Sequence, residues 1–87
     1  MADEEDFYYA LSKLLREKGD FAQAETVLVK GLRECGDSEV MWMKYALFLQ
    51  EQGKVEKALD IVTKAIEAFP DFWKLYLIKS ELLMDVA

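Results

Sequence analysis

The sequence contains no histidine, only one cysteine and only one proline among its 87 residues. Without histidine the chain lacks both the commonest general base and the commonest metal ligand in proteins. Cys35 alone can form no internal disulfide and offers no cysteine cluster to zinc, so we expect no metal and no cofactor. Nothing in the sequence combines an acid, a base and a nucleophile, and we therefore expect no enzyme.

Long flexible linkers and membrane spans are also missing. The chain has four glycines, no low-complexity stretch and no run approaching the roughly 18 apolar residues that a membrane span needs. Its formal charge of −6 argues against nucleic-acid binding, which usually requires a basic surface. The acidic N-terminus is unlike a secretory or mitochondrial signal. The expected location is a reducing compartment, either cytosol or nucleus, because the chain carries no cysteine pair.

What the sequence does contain is a repeat with a period of 34 residues. Tyr8, Trp42 and Tyr76 occupy the same repeat position. The other matched positions are Ser12, Ala46 and Ser80; Leu15, Leu49 and Leu83; Gly19 and Gly53; Ala24 and Ala58; and Gly31 and Ala65. A period of this length with large and small residues in register is typical of a helix–turn–helix solenoid.

Turn and cap signals place five helices at about 4–18, 20–34, 39–52, 55–68 and 72–86. Gly19 and Gly53 end two of them as left-handed caps, and Pro70 stops a third. Asp20 and Ser38 are predicted N-caps. The apolar face predicted for the second helix consists of Phe21, Ala24, Val27, Leu28, Gly31, Leu32 and Cys35.

The predicted fold is all-α, a right-handed α-α superhelix of about two and a half helix–turn–helix repeats. Residues 1–87 are expected to form one domain, with repeat one at about 5–38, repeat two at about 39–72, and a lone first helix of repeat three at 73–87. In such arrays each repeat packs only on its neighbours, and function resides on a surface.

The first helix of each repeat is expected to line a concave groove. The residues predicted for this protein-binding groove are Tyr9, Lys13, Met43, Lys44, Leu47, Lys74 and Leu77. An apolar row edged by lysines suits an extended or helical peptide of acidic and apolar residues. The alternative is that neighbouring helices cover Met43 and Leu47.

The last helix lacks the second helix that would complete its repeat. A terminal interface is therefore predicted at Trp73, Ile78, Leu82 and Met84, with homodimerisation or a following repeat as occupant. The alternative is that this helix acts as a cap on the array.

Residues 41–70, MWMKYALFLQEQGKVEKALDIVTKAIEAFP, resemble half-a-TPR (HAT) repeats in carrying Trp42, Tyr45 and Phe48 at intervals of three. Leu49 departs from that pattern, which usually has an acid there. Tetratricopeptide repeats (TPR) are matched equally well in places, by Gly53, Ala58, Ala65 and Pro70.

The segments GLRECGDSEVMWMKY and EAFPDFWKLYLIKSELL look most like repeats of the spliceosomal tri-snRNP bridging protein family, pre-mRNA processing factor six. This resemblance implies a non-catalytic nuclear scaffold that joins small nuclear ribonucleoproteins of the spliceosome in mRNA splicing through protein contacts. It implies protein partners and no direct nucleic-acid or membrane binding. The alternative is a TPR adaptor that binds a short peptide in the cytoplasm.

Overall fold

The computed structural model describes the backbone of residues 3–86 and the side chains of residues 6–85. Within that range the chain contains five α-helices and no strand. They are α1 (Asp3–Glu17), α2 (Phe21–Glu34), α3 (Glu39–Glu51), α4 (Val55–Ala68) and α5 (Trp73–Val86). The predicted all-α fold of helix–turn–helix repeats is confirmed. Every boundary lies within one residue of its predicted position.

Two glycines end helices as predicted. Gly19 has a φ of 85° and Gly53 a φ of 76°, both in the left-handed region where a side chain would be strained. The Gly19 N–H donates to the carbonyl of Arg16 at 3.0 Å, and the Asp20 N–H donates to the carbonyl of Leu15 at 2.9 Å. This pair of bonds defines a Schellman motif, and the same pair recurs at the end of α3.

The predicted N-caps are also present. The Asp20 carboxylate accepts from the Gln23 N–H at 3.2 Å, and the Gln23 side-chain amide donates to its other oxygen at 2.8 Å. The Ser38 hydroxyl accepts from the Met41 N–H at 3.3 Å. Each cap satisfies an amide that the first turn of a helix leaves without an intrahelical partner.

The chain divides into two compact units, Met1–Met41 and Trp42–Ala87. In the first unit α1 packs against α2, which buries Ala24, Leu28 and Gly31 along one face. Gly31 lies so close to α1 that a Cβ added to it would be 3.1 Å from Tyr8 Cβ. A small residue on α2 thus makes room for an aromatic residue on α1.

The second unit contains nearly all of α3, together with α4 and α5. α4 packs against α5 and buries Ala58, Val62 and Ala65, which have the same spacing as the buried face of α2. The buried side chains on the other two helices are Tyr45, Ala46, Phe48 and Leu49 from α3, and Leu75, Ile78 and Leu82 from α5. This set forms the apolar core of the unit.

One predicted core residue, Phe21, is exposed. It is the first residue of α2, and side chains on a helix lean towards its N-terminus. Phe21 therefore lies at the very start of α2, directly after the turn at residues 18–20. The prediction for Phe21 was wrong because periodicity identifies the face of a residue but not whether a neighbouring helix reaches it.

Candidate protein-binding surfaces

Three of the predicted groove residues lie in the second unit as one apolar row. Met43 and Leu47 are four residues apart on α3, so they share one face of that helix. Met43 is half-buried and Leu47 is exposed. On α5, Leu77 is 52% exposed. We call Met43, Leu47 and Leu77 the groove row.

A hydrogen bond places the two halves of the groove row side by side. The Gln50 side-chain amide of α3 donates to the Glu81 carboxylate of α5 at 3.5 Å. Gln50 follows Leu47 by three residues, and Glu81 follows Leu77 by four, so each extends the row on its own helix. The faces of α3 and α5 that carry the row are therefore neighbours within this unit.

The lysines beside the row differ in exposure. Lys74 is exposed, and its ammonium lies 5.9 Å from the centroid of the Trp73 ring. That distance is within the range of a cation–π contact, which holds the ammonium near Trp73, the first residue of α5. Lys44 is half-buried on α3. Together they place positive charge beside an apolar row in a chain that is acidic as a whole.

The two predicted groove residues of the first unit lie on α1. Tyr9 is half-buried, and its carbonyl accepts a hydrogen bond from the Ser12 hydroxyl at 2.8 Å. Lys13 is exposed one turn further along the helix. The site prediction for Tyr9 and Lys13 stays a prediction.

The structure buries two residues of the predicted terminal interface and exposes the other two. Ile78 is 5% exposed and Leu82 is fully buried, so these two residues were wrongly placed on the surface. α4 packs against α5, and Ile78 and Leu82 belong to the side of α5 that is buried in this unit. Trp73 and Met84 are both exposed. The part of the predicted interface that remains accessible is therefore at Trp73 and Met84.

The open side of α5 carries residues that were not assigned to the predicted terminal interface. Tyr76 is 47% exposed and Leu83 is 50% exposed, and they flank an exposed Ser80 at spacings of four and three. Tyr76, Ser80, Leu83 and the adjacent Met84 line a shallow depression together with Lys79. We call the four residues Tyr76, Ser80, Leu83 and Met84 the α5 outer face. The signal for it was in the sequence, because α5 is apolar on nearly all sides and a helix of that kind is normally covered.

The first helix is open on a different side. Phe7 and Leu14 are exposed, although the equivalent residues one repeat later, Met41 and Phe48, are buried. The Phe7 ring is stacked edge-on against Tyr8, with centroids 5.7 Å apart. α1 thus resembles α3 in sequence but lacks cover over this pair of positions.

The described side chains do not assemble a metal site. Among residues 6–85, no group of three or more histidine, cysteine or acidic side chains is arranged to hold an ion. None of the described helices is both long and apolar enough to cross a membrane.

Two family models, both described as tetratricopeptide repeat, match residues 5–48 and residues 40–72. The chain belongs to the tetratricopeptide repeat family. The first match covers α1, α2 and most of α3, and the second covers the hairpin of α3 and α4. TPR repeats generally mediate protein–protein interactions and are generally non-catalytic. No curated protein matches the chain.

Proposed function

We propose that this TPR chain is a protein-interaction scaffold that binds a peptide or helix of acidic and apolar residues along the groove row. Met43, Leu47 and Leu77 contact the apolar side chains of the partner. Lys44 and Lys74 attract its carboxylates. The partner lies across α3 and α5 within the second unit.

The observation that supports this proposal most is the exposure of two leucines on neighbouring helices. Leu47 and Leu77 remain open to solvent, although α3 and α5 are joined beside them by the bond between Gln50 and Glu81. Burying an apolar side chain on binding releases about 25 cal/mol per Å² of area removed from water. A row of this kind is therefore a more favourable contact surface than the charged faces of α2 and α4.

The charge of the chain makes the proposal specific. At a net charge of −6 the whole molecule repels an acidic peptide, so binding depends on the local lysines. Surface charges interact over about 8–10 Å at physiological salt. We expect affinity to fall as salt increases, and to fall further when Lys74 is changed to glutamine.

The test is a selection of peptides from a displayed library on the immobilised chain, followed by affinity measurements with one enriched synthetic peptide. Leu77→Ser should weaken its binding about tenfold, the effect of an interface residue that contributes more than 1 kcal/mol. Leu83→Ser is the matched control, because Leu83 lies on the same helix with nearly the same exposure but outside the groove row.

Either of two results would contradict the proposal. Leu77→Ser and Leu83→Ser could weaken binding equally, which would show that the peptide does not distinguish the groove row. Alternatively, the enriched peptides could lack acidic residues, which would remove the role given to the lysines. Circular dichroism of both variants checks that the fold is retained.

For the cellular setting we propose a pre-mRNA splicing assembly in the nucleus, supported by the resemblance of residues 31–45 and 67–83 to tri-snRNP bridging repeats. The test is purification of the tagged protein from nuclear extract, followed by measurement of the small nuclear RNAs that accompany it. Enrichment that is lost in Leu77→Ser supports this setting. A cytoplasmic signal with no enrichment would favour the peptide-binding adaptor instead.

A further inference from the structure

We propose that the α5 outer face is a second docking site, which binds one amphipathic helix of a partner protein. The partner helix carries a small residue, an aliphatic residue and a second small residue at spacings of four and three. It also carries a carboxylate on the edge that meets Lys79. This proposal does not depend on the groove row.

The repeat shows that this side of a first helix is normally covered. In α3 the residues equivalent to Tyr76, Ser80 and Leu83 are Trp42, Ala46 and Leu49. Ala46 and Leu49 are fully buried and Trp42 is half-buried.

In α1 the equivalent residues are Tyr8, Ser12 and Leu15. Ser12 is buried, and Tyr8 and Leu15 are half-buried. Only in α5, among the three first helices of the described chain, are all three positions exposed.

The first unit shows what kind of side chain covers the aromatic residue. A Cβ added to Gly31 of α2 would lie 3.1 Å from Tyr8 Cβ and 3.2 Å from Tyr8 Cγ. The backbone of α2 therefore approaches the aromatic residue more closely than a bulky side chain would permit. Tyr76 holds the equivalent position in α5, and its natural complement is glycine or alanine on a partner helix.

Both second helices of the chain carry the same pattern on their buried face. In α2 it is Ala24, Leu28 and Gly31. In α4 it is Ala58, Val62 and Ala65. The spacing of four and then three keeps the three residues on one side of a helix. A partner helix with this pattern would pack on Tyr76, Ser80 and Leu83 in the way that α2 packs on α1.

Tyr76 is held in place for binding before a partner arrives. Its hydroxyl donates to the Pro70 carbonyl at 2.8 Å, which satisfies the polar group and fixes the ring against the turn before α5. The ring itself remains nearly half exposed. A preorganised aromatic ring loses little side-chain freedom on binding, and tyrosine is enriched among residues that dominate interface energetics.

The charge beside the depression specifies the partner further. Lys79 is the one cation among the five residues that line it. At the equivalent positions α1 has Leu11 and α3 has the buried Tyr45, both of which suit an apolar neighbour. A helix that covers Lys79 leaves its ammonium partly desolvated unless the helix supplies an opposite charge. We therefore assign a carboxylate to the facing edge of the partner.

The probe is a helix-stabilised synthetic peptide of residues 54–69, which contains Ala58, Val62 and Ala65 of this same chain. Calorimetry should detect its binding to the intact protein. A second peptide with Ala58→Leu and Ala65→Leu has bulky side chains at both small positions, and we expect it to bind about tenfold more weakly. Equal binding of the two peptides would overturn the size complementarity.

Paired variants of the protein locate the site. Leu83→Lys should weaken binding of the probe about tenfold, whereas Leu77→Lys, on the groove row of the same helix, should leave it unchanged. The opposite result would place the probe on the groove row and overturn the proposal. Because both leucines are half exposed, neither substitution should prevent folding, and circular dichroism verifies this.

A glutamate scan along both edges of the probe tests the role of Lys79. One glutamate position should tighten binding to the wild type several-fold and have no such effect on Lys79→Gln. If no position does so, the charge assignment is wrong.

Light scattering over a concentration series tests whether a second copy of the chain occupies the α5 outer face instead. A dimer that Leu83→Lys dissociates would show that a second copy, not a partner helix, covers the α5 outer face.

Discussion

The contact between α1 and α2 at Gly31 gives the sharpest stability prediction, Gly31→Ala. In an open helix this change is favourable by about 1 kcal/mol, because alanine has the higher helix propensity. Here the added Cβ would lie 2.6 Å from Met41 Cε and 3.1 Å from Tyr8 Cβ. Placing an extra methyl group in a filled core costs about 1–3 kcal/mol. We therefore expect a net loss of about 1 kcal/mol in the free energy of unfolding.

The two contacts do not contribute equally to that cost. Met41 Cε is the end of a flexible side chain and can rotate away. Tyr8 Cβ is fixed to the backbone of α1, so relief requires α1 and α2 to separate by a few tenths of an ångström. A shift of that size loosens every other contact between these two helices, because dispersion forces weaken quickly with distance.

Urea unfolding followed by circular dichroism measures the change, with thermal unfolding as a second readout. A loss of 1 kcal/mol lowers the midpoint of a domain of this size by about 4–8 °C. The reasoning is refuted if Gly31→Ala stabilises the protein by the full amount expected of an exposed helical glycine.

A double-mutant cycle separates packing from propensity. In the Met41→Ala background the nearest clash is absent but the contact with Tyr8 Cβ remains, so Gly31→Ala should destabilise the protein less there than in the wild type. The coupling free energy between the two sites should be about 0.5–3 kcal/mol. Additive effects would mean that Met41 and Gly31 do not share the packing seen in the first unit.

Three further substitutions test local features of the fold. Gly53→Ala should cost about 1–2 kcal/mol in unfolding free energy, because its φ is 76° and alanine is strained in that conformation. No neighbour lies within 4 Å of the new Cβ, so no clash adds to this cost. An unchanged urea midpoint would contradict the left-handed cap. Asp20→Ala removes the cap on the Gln23 amide and should cost about 1 kcal/mol, measured in the same way, whereas Asp20→Asn should retain most of the stability. Leu82→Ala should cost about 2–5 kcal/mol, and Leu83→Ala much less, because the first is buried and the second half exposed; equal losses would show that the two sides of α5 are not distinct.

The positions of the helices could be predicted from the sequence because their signals are local. Gly19, Gly53 and Pro70 act through backbone geometry at the turn itself, and Asp20 and Ser38 cap amides three residues away. None of these effects requires knowledge of a distant part of the chain. The boundaries were therefore right to within one residue.

The covered and open sides of α5 could not be predicted in the same way. The sequence predicts that part of α5 is uncovered, and Ile78 and Leu82 were placed on that exposed interface. It does not show which side of α5 the preceding helix covers, because α5 is apolar on nearly every side and periodicity is uninformative there. α4 packs against α5, and only the structure shows which residues of α5 are buried in this unit. Tyr76 and Leu83, not Ile78 and Leu82, are left open.

The most direct test of the interaction role is a nuclear magnetic resonance titration of the isotope-labelled chain with one library-selected peptide. We predict that the largest changes in backbone amide shifts occur on α3 and α5, centred on Met43, Leu47 and Leu77. Changes centred on the charged outer surfaces of α2 and α4 instead would contradict the assignment of the groove row as the binding surface.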